Sequence, residues 1–511
     1  MKMLTKRCSL LLACLMMLLC FASCQGNKET EKESATKPTE TEEETGRNAI
    51  KDGVPANLNY GGKETVTFLY RNTGGVWIYE LACEELMNDA LYDSIHYRNI
   101  DVENRLGVKI QTVGQTANWG AEVAAWNKTL STSVLTNTHD FDGAAIYASQ
   151  SSALVKEGIY YDFNKISTDY GDGYIDLSKP WWNQTLVDEL TTYGALFFLA
   201  GDLLVSETAQ GFCLFFNKDL FNEKFPSVGT NALYQTVRDQ KWTIETLTDY
   251  VSGVWDDTNS NGIIDDGDVM GWNGLGGVSD GGMDSWIYAL GLNITKPNAY
   301  GEPEISIIYD PDTVPAYELV KKLYMETKGS YGSSDLTTVC TETLMKNGNL
   351  LFDRVTLNEG AGMRDSAVNY GVLPMPKLNE EQEEYRTIFC NNASLLVLCS
   401  NLTDEKAKIV SALIELMSAS SYKTVTPVYY STVLQGIYSK DQADAEMYDM
   451  ILKSFVADFG FAYSTMSLNE VGSIFRDVSK TCDIRTKIES KKQSYETALE
   501  QLLKALDEVS G

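Results

Sequence analysis

Two short apolar runs, separated by a stretch of helical character, constrain this chain more than any other feature. Residues 65–70 (TVTFLY) and 108–113 (VKIQTV) are rich in β-branched and aromatic residues and read as strands. Residues 80–106 between them read as largely helical, with Gly107 placed to end the helix. Strand, helix, strand is the signature of a parallel sheet, so the chain is expected to be α/β. A ligand of such a sheet binds beyond the carboxyl ends of its strands. That makes the loop after the first strand, with Arg71 and Trp77, a candidate lining segment. Residues 140–147 (DFDGAAIY) read as a further strand with Tyr147 at its far end, a third candidate.

Composition narrows the function. The chain has 511 residues, 43% of them apolar and 11% aromatic, enough for two or three domains or two large lobes with substantial cores. A formal charge of −29 argues against nucleic acid and against adsorption to anionic lipid through a basic patch. His96 and His139 are the only histidines, which removes HExxH and every other paired-histidine motif. Cys83, Cys213, Cys340, Cys390, Cys399 and Cys482 are scattered without a CxxC, so neither a disulfide framework nor a zinc site is expected.

Lys2, Lys6 and Arg7 precede an apolar run from Cys8 to Phe21, too short for a comfortable bilayer span of about 20 residues. Phe21-Ala22-Ser23-Cys24 follows and resembles the lipobox of bacterial lipoproteins, with Phe21 where that family usually carries Leu. The resemblance implies that residues 1–23 are removed and that Cys24 becomes a lipidated N-terminus on the outer face of a cell membrane. A plain signal peptide cut elsewhere, or a buried helix, is the alternative. Residues 24–60 are then the lipidated cysteine and an acidic linker. Its Glu-, Lys-, Thr- and Ser-rich part, with no aromatic residue up to position 50, is too polar to order itself and suits a tether.

Residues 257–268 (DTNSNGIIDDGD) match the twelve-residue calcium loop. Asp257, Asn259, Asn261, Asp265 and Asp268 supply side-chain oxygens at positions 1, 3, 5, 9 and 12, and the Ile263 carbonyl supplies position 7. Ca²⁺ needs six to eight hard oxygens, and Gly262 permits the sharp turn. Asp268 stands where Glu is usual. A helix precedes the loop, but residues 270–274 do not continue as a second one. A single structural clip is expected, with an ion-free acidic turn as the alternative.

Several segments, taken in order, resemble bacterial family 1 extracellular solute-binding proteins. They are ALYDSIHYRN at 90–99 with LGVKI at 106–110, KPWWN at 179–183, LFFNKDLF at 214–221, KWT at 241–243 and YGVLPMPK at 370–377. The resemblance implies a two-lobed periplasmic-binding-protein-like II fold, with chain-discontinuous lobes joined by a hinge and ligand held between them. It places residues 61–203 and 389–420 in lobe 1, and 204–388 and 421–511 in lobe 2. It also implies a monomer that delivers carbohydrate, most often oligosaccharide, to the membrane permease subunits of an ABC importer.

Sugars present apolar C–H faces and a rim of hydroxyls, which suit flat rings edged by Asp, Asn, Arg and Glu. Trp272 and Trp286, in Gly-rich surroundings past the calcium loop, are therefore candidates beside Trp77, although core packing is the commoner fate of a tryptophan. In KNGNLLFDR at 346–354, a similar family strand ends in a ligand-facing loop, so Asp353 and Arg354 are implied to reach hydroxyls; an ordinary surface ion pair is the alternative. Tyr430, in PVYY, is a weaker candidate. A secreted glycan hydrolase and a glycan-tethering protein without a transporter remain as competing functions, although no motif pairs two carboxylates.

Overall fold

A computed structural model describes residues 46–265, 267–274, 281–331, 341–363, 366–431, 442–476 and 483–510. The signal-like segment, Cys24 and most of the expected linker lie outside these. The chain divides into two compact units, 1–49 and 50–511. Among the described residues the first contributes one 3₁₀ turn, Gly46–Ala49.

The second unit contains two separate main sheets and a small hairpin. Its strands are β1 (Glu64–Arg71), β2 (Val108–Gln115), β3 (Gly143–Tyr147), β4 (Phe212–Asn217), β5 (Trp255–Asp256) and β6 (Val269–Asn273), followed by β7 (Thr295–Pro297), β8 (Pro303–Ile305), β9 (Ser330–Tyr331), β10 (Leu350–Thr356), β11 (Tyr370–Leu373) and β12 (Ser394–Leu398). The first sheet runs β12-β3-β1-β2, and the second runs β11-β4-β10-β6-β5 with β9 also on β6; β7 and β8 pair alone. β1 is parallel to β2 from Glu64↔Val108 to Arg71↔Gln115 and parallel to β3, while β12 lies antiparallel to β3. The parallel sheet expected from residues 65–113 is present.

The connecting helix α1 (Ala90–Leu106) is shorter than expected. Asn88 has φ 57°, and the Asp89 carboxylate accepts from Leu91 N and Tyr92 N, so the helix starts at its cap and residues 80–89 take another path. Gly107 ends it at φ 63°, where a Cβ would lie 2.4 Å from Asn59 Oδ1. In the LFFNKDLF motif, four residues close β4 and Asn217 caps the helix Lys218–Lys224 by accepting from Asp219 N and Leu220 N. Thr403 caps α2 (Asp404–Lys423) by accepting from Lys406 N, as the sequence predicts. The stripe Ile484, Ile488, Tyr495, Leu499, Leu502 and Leu506 is the buried face of α3 (Ile484–Ser510). Cys83, Cys213, Cys390 and Cys399 form no disulfide among the described residues, and the first, second and fourth are buried; Cys340 and Cys482 lie outside the described residues.

The chain passes from the first sheet to the second before β4 and returns before β12. These two crossings run antiparallel, side by side. Leu199 and Leu396 exchange both backbone hydrogen bonds, at 3.0 and 2.8 Å, and Gly211 bridges Phe389. Cys390 N donates to Gln210 O at 2.8 Å, and Phe212 N to Ile388 O at 3.1 Å.

Candidate ligand cleft

A cavity of about 540 Å³ opens between the two sheets. Tyr147, at the carboxyl end of β3, and Trp119, in the loop after β2, line the side of the first sheet. Asn273 at the end of β6 and Asp353, Arg354 and Thr356 on β10 line the side of the second. Gln210, Cys390, Asn391 and Asn392, from the paired crossings, line it as well. The cavity thus sits beyond the carboxyl ends of the parallel strands, where α/β sheets bind ligands.

Trp119 is 54% exposed, and its ring stands 6.0 Å from that of Tyr147 at 64°. The Tyr147 hydroxyl faces Asn391 Oδ1 at 3.5 Å, and burial pushes its pKa well up. Asp353 is 3% exposed, and its Oδ2 has no hydrogen-bond partner among the described residues. Burial above all, then the nearby Glu359, pushes this carboxyl well above the usual range, while Arg354 opposes the shift.

Arg354 Nη1 donates to Tyr324 Oη at 3.0 Å, and its guanidinium lies across Gly282, where a Cβ would sit 2.1 Å from Nη2. Only glycine permits that approach. Arg476, also on the lining, donates from Nε and Nη2 to both oxygens of Asp284, at 2.8 and 2.5 Å.

The structure brings Tyr147, Asp353 and Arg354 together on one cavity. It corrects the expectation for the other candidates. Trp272 and Trp286 are 0% exposed. Trp272 packs edge-on to Tyr324, centroids 5.5 Å apart, and Trp286 Nε1 donates to the Tyr324 hydroxyl at 3.1 Å. They form the layer that holds Tyr324, which in turn holds Arg354, and present no face to a ligand. The reason is local: Trp272 occupies a fully buried stretch of β6, and Trp286 a short helix whose residues are all buried. Arg71 and Trp77 stand behind the cavity. Arg71 is 2% exposed, stacks under Tyr147 at 4.8 Å and Trp77 at 5.4 Å, and donates to Asn392 O at 2.5 Å. Its desolvation lowers its pKa to about 10. Tyr430 is half-buried against the core and does not line the cavity. Trp119, Gln210, Asn273, Asn391, Asn392 and Arg476 are lining residues that sequence reasoning missed. For Trp119 a signal existed, since it follows a predicted strand in the same way as Trp77.

In the 257–268 loop, Gly262 adopts φ 75°, and residues 269–273 form β6, not a second helix. Asp257 accepts from Asn261 N and Gly262 N, and the Asp265 carboxylate from the side-chain amides of Asn259 and Asn261, at 2.9 and 2.7 Å. Ile263 N donates to Asn261 Oδ1. Asp268 accepts from Thr258 N and from Trp255 Nε1. Among the described residues no group of three or more His, Cys, Asp or Glu is close enough to hold a metal ion unaided. Any cation here depends on the amide and backbone oxygens as well.

No family model and no curated protein matches the chain in sequence. Solved structures match in fold. An ABC substrate-binding protein from Listeria monocytogenes in complex with cycloalternan superposes with a TM-score of 0.54 at 13% identity, covering 86% of this chain and 99% of its own. The maltose/maltodextrin-binding domain MalE of Bdellovibrio bacteriovorus, bound to maltotriose, gives 0.51 at 11%, covering 86% and 100%. A solute-binding protein from Thermotoga lettingae bound with α-D-tagatose gives 0.51 at 12%, again covering 86% and 100%.

Proposed function

We propose, for a chain that has the two-lobed α/β fold of ABC-transporter substrate-binding proteins, that it captures a carbohydrate in the cleft between its sheets and releases it unchanged. The supporting observation is the cavity itself. Aromatic rings (Trp119, Tyr147, Phe212) alternate with polar edges (Asp353, Arg354, Asn391) around a space that both sheets and both crossings share. Ligand that touches both sides favours the closed arrangement by its differential affinity, and a permease reads that arrangement. In this reading the protein is monomeric, extracytoplasmic and held to the membrane by lipid on Cys24, and oligosaccharide delivered to an ABC permease is its cargo. Among the described residues no helix is long and apolar enough to cross a membrane.

Capture fits the lining better than hydrolysis. Among the described residues, Asp353 and Glu359 are the carboxylates on the lining, and Glu359 accepts from Thr356 N at 3.1 Å as the cap of the next turn. Retaining and inverting cleavage both require two carboxyl groups facing the bond. The 257–268 loop is assigned a structural Ca²⁺. Asp257, Asn259, Asn261, Asp265, Asp268 and the Ile263 carbonyl would hold it, with the two Asn side chains turned to present oxygen.

The test is a melting-temperature screen of the purified protein against mono- and oligosaccharides, with the sugar recovered afterwards. A ligand that binds only the folded state raises the melting temperature. A sugar that does so and is recovered intact supports capture; recovery of shortened sugar overturns it in favour of a hydrolase. Failure of every soluble sugar, together with retention on insoluble polysaccharide, favours a tethering protein.

A further inference from the structure

Glu80 lies in the segment expected to be helical, 1% exposed, behind the paired crossings. Its carboxylate accepts from Ser206 in the outgoing crossing and from Ser394, the first residue of β12, where the returning crossing ends. Oε2 accepts from Ser206 N at 3.2 Å and Oε1 from Ser394 Oγ at 2.5 Å. The crossings are also joined directly there, Ser394 N donating to Ser206 Oγ at 3.1 Å. Arg71 supplies the countercharge. It donates to the same Ser394 Oγ at 3.2 Å and to Asn392 O, and stacks beneath Tyr147. Arg98, 1% exposed, pins the backbone on this side: it donates to Glu80 O and Leu81 O, and to Ser421 Oγ near the end of α2.

We infer that Glu80 is a positioning residue that clamps the two crossings to each other and so sets the resting angle between the sheets. The reasoning is geometric. Gln210, Cys390, Asn391 and Asn392, which line the cavity, follow Ser206 or precede Ser394 by four residues or fewer. Changing the angle between the sheets displaces one crossing against the other. That motion must stretch or release bonds to a buried carboxylate, and an unpaired buried charge resists release. Closing of the cleft around a ligand therefore works against the clamp, an inference that rests on the capture reading above. The clamp itself is a property of the ligand-free protein.

The test uses the ligand-free chain. Glu80→Gln keeps the shape but presents an amide where one donor needs an acceptor, and Ser394→Ala removes the other bond. Each variant is expected to speed amide hydrogen exchange about tenfold in residues 201–211 and 388–396 and to shift the radius of gyration measured by X-ray scattering, with exchange in the helix Ala121–Leu135 unchanged. The double variant should be faster than either single one, because each removes a different bond of the clamp. Unchanged exchange in the crossings, an unchanged radius, or acceleration spread evenly through both sheets overturns the clamp. If Glu80→Gln does not fold, Ser394→Ala and Ser206→Ala decide the matter on the same readouts. Failure of the sugar screen with success here removes the carbohydrate reading and leaves the clamp.

Discussion

Trp119 stands edge-on to Tyr147, one ring 54% exposed and the other 3%, so that an exposed aromatic face in the cleft is backed by a buried one. The pair joins the loop after β2 to the end of β3 across the cavity wall.

Trp119→Ala should weaken binding of the sugar found in the screen roughly tenfold, since one stacked aromatic contributes on the order of 1 kcal/mol. Its melting temperature should stay close to that of the parent. Trp272→Ala, by contrast, opens a core void and should cost about 3–5 kcal/mol of stability. Titration calorimetry and thermal melts of both variants check this. Equal affinities for parent and Trp119→Ala would remove the ring from the binding surface.

Glu415 governs part of the pH dependence of stability. Buried beneath Trp182, whose Nε1 donates to its Oε2 at 3.2 Å, it is pushed up to about 8, chiefly by desolvation. Glu207, also desolvated, rises to about 7. Both bind protons more tightly folded than unfolded, so stability is highest below the unfolded carboxylate range and falls as pH rises towards the folded value. For Glu415 the fall spans about pH 4.5 to 8 and amounts to on the order of 3–5 kcal/mol. Glu415→Gln should flatten the denaturant-midpoint profile over that window; an undiminished slope would contradict the assignment.

Calcium should stabilise the protein. With free Ca²⁺ at 100 times its dissociation constant, the gain is about 2.7 kcal/mol. Chelator should lower the melting temperature. Asp265→Ala, which removes the carboxylate that both Asn amides reach, should abolish the response. A parent protein indifferent to chelator and to added Ca²⁺ would leave the loop an ion-free turn.

Cys24→Ser should abolish incorporation of labelled fatty acid and release the protein from the membrane fraction. Retention of label in the variant would refute lipidation at that thiol.

Local chemistry made much of this fold readable. The β1–α1–β2 unit, Gly107 at its left-handed turn, the Thr403 cap and the buried stripe of α3 all follow from signals confined to a few neighbouring residues. The cleft was readable only in part. Tyr147 ends β3, and a strand end can be located from a sequence, whereas Asp353 and Arg354 lie inside β10 and not in the loop expected after it. Trp272 and Trp286 could not be separated from Trp119 by neighbours or composition, because what buries them is Tyr324 and a partner strand far along the chain. Glu80 was hidden for a related reason. Its neighbours in sequence suit a helix, and its partners Ser206 and Ser394 lie 126 and 314 residues away.

The pairing of β12 with β3 carries a consequence for biogenesis. β3 is finished at Tyr147, yet the strand that covers its outer edge begins at Ser394. While the polypeptide is being made, the backbone N–H and C=O groups along that edge have no native partner until some 250 further residues have emerged, roughly 12–50 seconds at ordinary synthesis speeds. The first sheet is completed only after most of the polypeptide has been made, and until then that edge is open to non-native pairing.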